Sequence, residues 1–363
     1  MHDPRIDQIA DVLVNYSIGV TKGQRALINA PHAATDLGKA VAVKVLEAGG
    51  FPIVRSIVPG LLELLYAHAS DEQLAFVPQA TLEYYKEADV TFNLMTRENT
   101  SENTKISPER RKVFHDGMAK VREVMGCCSG EKPGVMTTFP TNAVAQQVGM
   151  SLLEYEEFYF AALLPDRDEP VAYWRRFGER QARLVAHLNA ANEFRVVADG
   201  TDLSFRTDDR EFVNESGRGN LPGGKVYVGP VEGSANGKIA FTYSTRSRGR
   251  EIQGIRLEVE DGRVVRATAD VNEPALLELL DTDDGARNVG EFALGTNEGI
   301  TSFIGDTLFD EKMAGTFHVA LGAGIAGNKV KSAVHRDIVS DLRNGGRVYA
   351  DGELIYEDGR FLA

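Results

Sequence analysis

The chain has 363 residues, of which 43% are hydrophobic and 26% are charged, and its formal net charge is −13. This composition is typical of a globular protein, and the length suggests two or three domains. The sequence has no apolar stretch of about 18 residues, which excludes a membrane-spanning helix. The first residues lack a basic segment followed by an apolar one, so we expect no secretory signal.

The basic residues form short, separate clusters, such as Arg110–Lys112 and Arg246–Arg250, in an acidic chain. Nucleic-acid binding requires a continuous basic face, because contacts with phosphates supply most of the affinity. We therefore expect no nucleic-acid partner. Two adjacent cysteines, Cys127 and Cys128, cannot form a disulfide framework, which indicates a reducing, cytoplasmic location. We interpret both as small buried residues rather than as a redox or metal pair.

The first half of the chain alternates apolar strands with helical patterns, which indicates βαβ units and a parallel sheet. Helices are predicted at 7–15, 37–48 and 82–87, and strands at 25–29, 52–56 and 89–95. A long segment rich in Glu, Arg, Ala and Leu follows at 154–188. It predicts two helices interrupted near Pro165 and Pro170.

After about residue 190, short segments alternate apolar and polar residues and are separated by glycine turns. Strands are predicted at 194–198, 202–206, 225–228, 238–243, 255–259 and 263–267, with a helix at 274–280. Asp261-Gly262 predicts a hairpin turn between the last two strands. The predicted architecture is therefore an α/β domain with a parallel sheet at 1–190 and a mostly antiparallel α+β domain at 191–363.

The C-terminal part concentrates side chains that can bind metal. His335 and Asp337 are two residues apart, so on an extended segment both project to the same face. His318 lies in an apolar run, where burial of an unpaired imidazole is costly and metal binding would remove that cost. Nitrogen and carboxylate ligands suit Zn, Co, Mn or Fe. The residues alone leave two possibilities open, a metal site or a pair of buried histidines held by salt bridges.

Segments from both halves of the chain share motifs with one known family. In the C-terminal half they are 220–230 (NLPGGKVYVGP), 290–291 (GE), 308–312 (LFDEK), 318–322 (HVALG) and 332–337 (SAVHRD). In the N-terminal half they are 13–17 (LVNYS), 70–74 (SDEQL), 139–141 (FPT) and 150–156 (MSLLEYE). These segments, in family order and across nearly the whole chain, resemble the aminopeptidase T and aminopeptidase S family of metallopeptidases, first known from thermophiles.

The resemblance implies an α/β N-terminal domain, a C-terminal domain with a two-metal site, and a homodimer that encloses the active site. It also implies release of N-terminal amino acids from peptides. Carried over by motif, the metal ligands are Glu291 (bridging), Glu311, His318, His335 and Asp337. A bridging or nearby carboxylate, Glu291 or Glu311, would act as general base.

The sequence departs from the family pattern at three positions. Lys225 stands where the family has its first glutamate ligand, and a protonated lysine cannot bind a metal. Ile325 stands where family members commonly have a tyrosine that donates to the tetrahedral intermediate. The family motif His-Trp-Asp is His335-Arg336-Asp337 here.

From these features we predict a cytoplasmic, homodimeric, metal-dependent aminopeptidase with one or two divalent ions per chain, Zn, Co or Mn, with Fe as a further option. Glu291, Glu311 and Lys225 are the predicted catalytic residues, and Lys225 is expected to replace the charge of one ion. The expected partner is a peptide or small-molecule substrate, with no nucleic acid or membrane. Two alternatives use the same fold. One is a mononuclear hydrolase or ring-opening dioxygenase for a small aromatic substrate, and the other is a non-catalytic family member.

Overall fold

The computed structural model describes residues 3–102, 106–125, 132–247 and 249–362. The chain forms two compact units. One consists of residues up to Arg175 together with Gly217–Leu221, and the other of Arg176–Ser216 and everything from Pro222 onward. Cys127 and Cys128 lie outside the described residues, so their burial stays a prediction.

The helices of the described chain lie mostly in the first unit. The α-helices are α1 Pro4–Val12, α2 Thr35–Glu47, α3 Leu61–His68, α4 Asp71–Ala75, α5 Gln79–Glu87, α6 Pro108–Gly117, α7 Ala119–Met125, α8 Asn142–Gln147, α9 Leu152–Leu163, α10 Pro170–Leu188, α11 Glu273–Leu280 and α12 Thr307–Asp310. A π-helical segment, Leu13–Ile18, continues α1, and His32–Ala34 forms a 3-10 turn.

The strands are distributed over both units. They are β1 Arg25–Pro31, β2 Phe51–Ile57, β3 Val90–Met95, β4 Gly134–Thr138, β5 Glu193–Ala198, β6 Thr201–Arg206, β7 Val213–Glu215, β8 Asn220–Leu221, β9 Lys225–Val228, β10 Asn236–Ala240, β11 Thr245–Ser247, β12 Arg250–Ile252, β13 Arg256–Glu260, β14 Arg263–Thr268, β15 Val289–Gly295, β16 Thr316–Gly322, β17 His335–Asp341, β18 Arg347–Ala350, β19 Glu353–Glu357 and β20 Arg360–Phe361.

The first unit contains a parallel sheet with strand order β2-β1-β3-β4-β8, which confirms the predicted α/β architecture. The inner strand β1 is a buried apolar run, in which Ala26, Leu27 and Ile28 are fully buried. The predicted break in the long helical segment is also confirmed, because α9 ends at Leu163 and α10 begins at Pro170. Ser151 and Glu154 form a capping box that starts α9.

The second unit contains antiparallel sheets, as predicted. One has the order β14-β13-β10-β6-β5-β18-β19-β20 and another the order β17-β16-β15-β9-β7, with β11 and β12 as a separate pair. Asp261 and Gly262 both have positive φ and turn the chain between β13 and β14. Side chains from both larger sheets share one apolar core, which includes Phe194, Phe205 and Phe292.

One strand is shorter than predicted. The pattern predicts a strand to Tyr243, but β10 ends at Ala240. Beyond that point Thr242 N donates to Ser340 Oγ, and Tyr243 N donates to Val339 O, so the segment bonds to β17 instead.

Within the described residues, no helix combines the length and the apolar character needed to cross a membrane.

Candidate metal centre

The candidate site lies on one face of the five-stranded sheet of the second unit. The register places Glu291 on β15 opposite Ala320 on β16, which lies opposite Asp337 on β17. Because paired residues share a face and side chains alternate along a strand, His318 and His335 project to this same face. The opposite face is apolar and packs into the core through Val226, Val228, Phe292, Leu294, Phe317, Val319, Leu321 and Ile338. Packing of that face fixes the backbone that carries the polar side chains.

Four potential ligands converge on this face. His318 Nε2 lies 3.4 Å from Glu291 Oε1 and 3.7 Å from Asp337 Oδ1. His335 Nε2 lies 3.3 Å from Glu291 Oε2 and 3.6 Å from Asp337 Oδ1. The side chains of Glu291 and His318 have no solvent exposure, whereas that of His335 is 33% exposed. Solvent therefore reaches the cluster at His335.

Local backbone structure orients these ligands. A β-bulge at Gly290 shifts the register of β15 just before Glu291, and a Cβ at Gly290 would lie 2.7 Å from Ala323 O. The His335 Nδ1 lies 2.8 Å from the same Ala323 O. If Nδ1 donates this hydrogen bond, Nε2 is left as the lone-pair nitrogen that faces the carboxylates, as a metal ligand requires.

The donor set fits a metal ion. Glu291, His318 and Asp337 each offer one ligand atom, and these atoms lie within 4.8 Å of one another. Among the described residues, the buried atoms Glu291 Oε2 and Asp337 Oδ1 have no hydrogen-bond partner. Unpaired buried carboxylate oxygens are costly, and a bound cation would remove that cost.

A second cluster adjoins these ligands and contains two lysines. The Nζ of Lys225 lies 3.0 Å from Glu291 Oε1 and 2.8 Å from Glu311 Oε2. The Nζ of Lys312 donates to Glu311 Oε1 at 2.5 Å and to Leu308 O at 2.8 Å. Both lysines are buried, with side-chain exposures of 8% and 0%.

Neighbouring charges shift the pKa of the ionisable groups in the site. Burial opposes the charged form of Lys225, but Glu311 and Glu291 outweigh it and raise the pKa of the ammonium. Burial likewise opposes ionised Glu291, yet His318, His335 and Lys225 hold the pKa of this carboxyl well below its ordinary value. Without an ion, Asp337 and Glu291 raise the pKa of His335 to about 10.

The family follows from comparison with known proteins. The family model described as thermophilic metalloprotease (M29) matches residues 2–361. The chain belongs to the M29 family. Aminopeptidase 2 of Geobacillus stearothermophilus is 27% identical over 353 residues, which cover 88% of this chain and 84% of that protein. The predicted membership of the aminopeptidase T and aminopeptidase S family of metallopeptidases is thereby confirmed, and the family implies a divalent metal.

Two solved structures have a similar fold. The wild-type AmpT structure from Thermus thermophilus has a TM-score of 0.84 and 22% identity, and 99% of each chain is covered. The 2,5-dihydroxypyridine dioxygenase of Pseudomonas putida has a TM-score of 0.59 and 14% identity, with 100% of this chain and 98% of that chain covered. At these identities both likenesses show the fold alone.

The structure brings together the residues that the sequence singled out for the predicted metal site: Lys225, Glu291, Glu311, His318, His335 and Asp337. Ile325 lies in the adjoining loop, where its N–H donates to Gly290 O at 3.3 Å. Sequence reasoning missed Lys312 and Glu215, whose charged atoms lie 3.9 Å apart beside the cluster. The position of Lys312 directly after Glu311 was the available signal, but such a pair is usually solvent-exposed.

Proposed function

We propose that this protein is a metal-dependent aminopeptidase that releases N-terminal amino acids from peptides. Membership of the M29 family and relatives named as aminopeptidases support the reaction class. The observation that carries the proposal is the buried convergence of Glu291, His318 and Asp337, with two carboxylate oxygens that lack hydrogen-bond partners among the described residues.

Glu291, His318, His335 and Asp337 would hold the ion. Two imidazoles and two carboxylates suit zinc, cobalt or manganese, and iron is a further option. A divalent ion there would supply Lewis acidity and would lower the pKa of a bound water.

Lys225 would stabilise negative charge on the reacting carbonyl oxygen. Its ammonium is fixed between Glu291 and Glu311 in a site that excludes most solvent, where a positioned charge acts strongly. Glu291 would serve the reaction as an ion ligand through Oε2, the oxygen that faces the open side at His335. Glu311, through its contact with Lys225, would keep the ammonium in place.

The test is release of leucine from a peptide with a free N-terminus, with the N-acetylated peptide as substrate control. Protein stripped with a chelator is supplied with zinc, cobalt, manganese or iron in turn. We expect metal-dependent release from the free peptide only, and a loss of at least about 100-fold in kcat/KM in Asp337→Asn. The matched control Asp202→Asn changes an exposed aspartate of another sheet, which pairs with Arg195, and should retain activity.

A protein that binds metal but leaves both peptides intact would contradict the proposal. It would instead favour the mononuclear hydrolase or dioxygenase. A protein that binds no metal would favour a non-catalytic family member.

We further propose that the protein forms a homodimer, as the family resemblance implies. We also propose a cytoplasmic location, which the two adjacent cysteines indicate. Light scattering at micromolar concentration tests the assembly. A mass of about 79 kDa, twice the 39.6 kDa of the chain, is expected for the dimer.

A further inference from the structure

The two oxygens of Glu311 are both occupied by lysine side chains. Oε2 accepts from Lys225 at 2.8 Å and Oε1 accepts from Lys312 at 2.5 Å, and the glutamate side chain is only 10% exposed. A metal ion on either oxygen would share that oxygen with a buried ammonium group, where the two positive charges repel strongly, or would have to displace the ammonium. Loss of one partner of a buried ion pair is strongly unfavourable, because a charge is left uncompensated.

Both lysine side chains are buried and held by further contacts. Lys312 has no solvent exposure and is further held by Leu308 O at 2.8 Å and by Glu215 at 3.9 Å. The Lys225 ammonium also lies 4.7 Å from the centre of the Tyr227 ring, an additional favourable contact. Both positive charges are therefore fixed parts of the site.

Glu291 divides the site into two halves. Its Oε1 accepts from Lys225 at 3.0 Å, whereas its Oε2 faces His335 and has no hydrogen-bond partner among the described residues. Asp337 Oδ1, the other such oxygen among the proposed ligands, lies on the His335 side as well. Among the proposed ligands in the described residues, the carboxylate oxygens without a hydrogen bond thus lie on the His335 side.

The net charge of the cluster is also consistent with a single ion. The cluster contains two lysines, Lys225 and Lys312, and four carboxylates: Glu215, Glu291, Glu311 and Asp337. When both histidines bind an ion as neutral imidazoles, these ionised groups together carry a net charge of −2. One divalent ion neutralises it. A second ion bound to the oxygens that Lys225 contacts would lie directly against a fixed ammonium, where like charges repel strongly.

We propose that the site binds one divalent ion per chain, held by Glu291, His318, His335 and Asp337, and that Lys225, Glu311 and Lys312 form a metal-free cluster that replaces a second ion. Glu311 is then a positioning residue for the lysines rather than a metal ligand. The inference rests on the proposed function for the identity of the site as a metal centre, but it concerns stoichiometry and not the reaction.

The experiment measures metal content by elemental mass spectrometry. Purified full-length protein is stripped with a chelator, saturated with zinc and passed through a desalting column. We expect about one zinc per chain for the natural sequence and about two for Lys225→Glu, which exchanges the ammonium for a ligand. Lys238→Glu makes the same charge change at a 71% exposed lysine and should stay at one.

A second measurement does not depend on the fold of Lys225→Glu. The zinc Kd, measured by competition with a chromophoric chelator, should change less than threefold in Glu311→Gln and rise at least tenfold in Asp337→Asn. Two zinc ions per natural chain, no bound zinc, or equal loss of affinity in both variants would each overturn the inference. Two ions together with peptide hydrolysis would leave the proposed function intact, whereas one ion without hydrolysis would overturn only that function.

Discussion

At the scale of single residues, the site depends on ion pairs that are almost sealed from solvent. Lys225 contacts Glu291 and Glu311, and the side chains of the two carboxylates are 0% and 10% exposed. Such a pair contributes little net stability compared with apolar packing, but removal of one partner is costly. Lys225 therefore has a structural consequence as well as a proposed catalytic one.

The substitution Lys225→Met should destabilise the metal-free protein by about 3–5 kcal/mol, because Glu291 and Glu311 lose their shared ammonium. Urea unfolding in the presence of a chelator measures the effect. Lys238→Met, which removes an exposed lysine 3.7 Å from Glu258, should change stability by no more than about 1 kcal/mol. Equal stability of the two variants would show that the buried ion pairs are unimportant.

At the scale of elements, the position of β17 is set by a contact outside the site. Asp283 accepts hydrogen bonds from Ser332 Oγ at 2.8 Å, Ala333 N at 2.7 Å and Gly285 N at 3.0 Å. These bonds tie down the segment that leads directly into His335. Burial opposes ionisation of Asp283, but the hydrogen bonds outweigh it and lower the pKa of its carboxyl.

The substitution Asp283→Asn should cost about 1–2 kcal/mol of stability at neutral pH, because a charged acceptor of three hydrogen bonds is lost. Since the folded pKa is lowered, this stability is present above the ordinary aspartate pKa of 3.8 and is lost as the pH falls through the folded value. Urea unfolding is measured from pH 7 to pH 3. The difference in free energy of unfolding between Asp283→Asn and the natural sequence should shrink below about pH 4.

A matched control is Asp281→Asn, which removes a 61% exposed carboxylate paired with Arg287 and should have little effect. If the loss of stability in Asp283→Asn stayed constant down to pH 3, the hydrogen bonds of Asp283 would not depend on its charge.

At this same scale, local patterns predicted most elements. The apolar runs of β1 to β3 and the prolines between α9 and α10 were sufficient to predict the parallel sheet and the interrupted helix. Their spacing also placed His335 and Asp337 on one face. Side chains alternate along any strand, so this prediction needs no knowledge of the neighbouring strands. The strand ending at Ala240 could not be predicted, because its limit depends on bonds to Ser340 and Val339, about 100 residues away.

The resemblance to the M29 family, rather than spacing, supplied Glu291 and Glu311. The cluster of Lys225, Glu311 and Lys312 depends on how three separate segments meet, and adjacent Glu and Lys residues are indistinguishable from a surface pair in sequence. Burial of Lys312 is a tertiary property that no local pattern encodes.

At the scale of the whole molecule, every proposed metal ligand belongs to the second unit. An ion that binds only the folded state stabilises the part that holds its ligands, by about 2.7 kcal/mol at 100 times its Kd. Because the two units have separate sheets, that stabilisation need not extend to the first.

Hydrogen exchange with and without zinc tests this expectation. Amides of β15, β16 and β17 should exchange more slowly when zinc is added, whereas those of β1 to β4 should change little. Equal protection of both groups of strands would indicate that the units unfold together or that zinc binds elsewhere.

The reaction proposed for this member of the M29 family is metal-dependent release of N-terminal amino acids from peptides. The most direct measurement is leucine release from a free peptide while metal-free protein is titrated with zinc, cobalt or manganese. Leucine release should rise in proportion to added metal and reach a plateau at about one equivalent per chain. Folded protein that binds the ion and releases no leucine at any metal ratio would contradict this proposal.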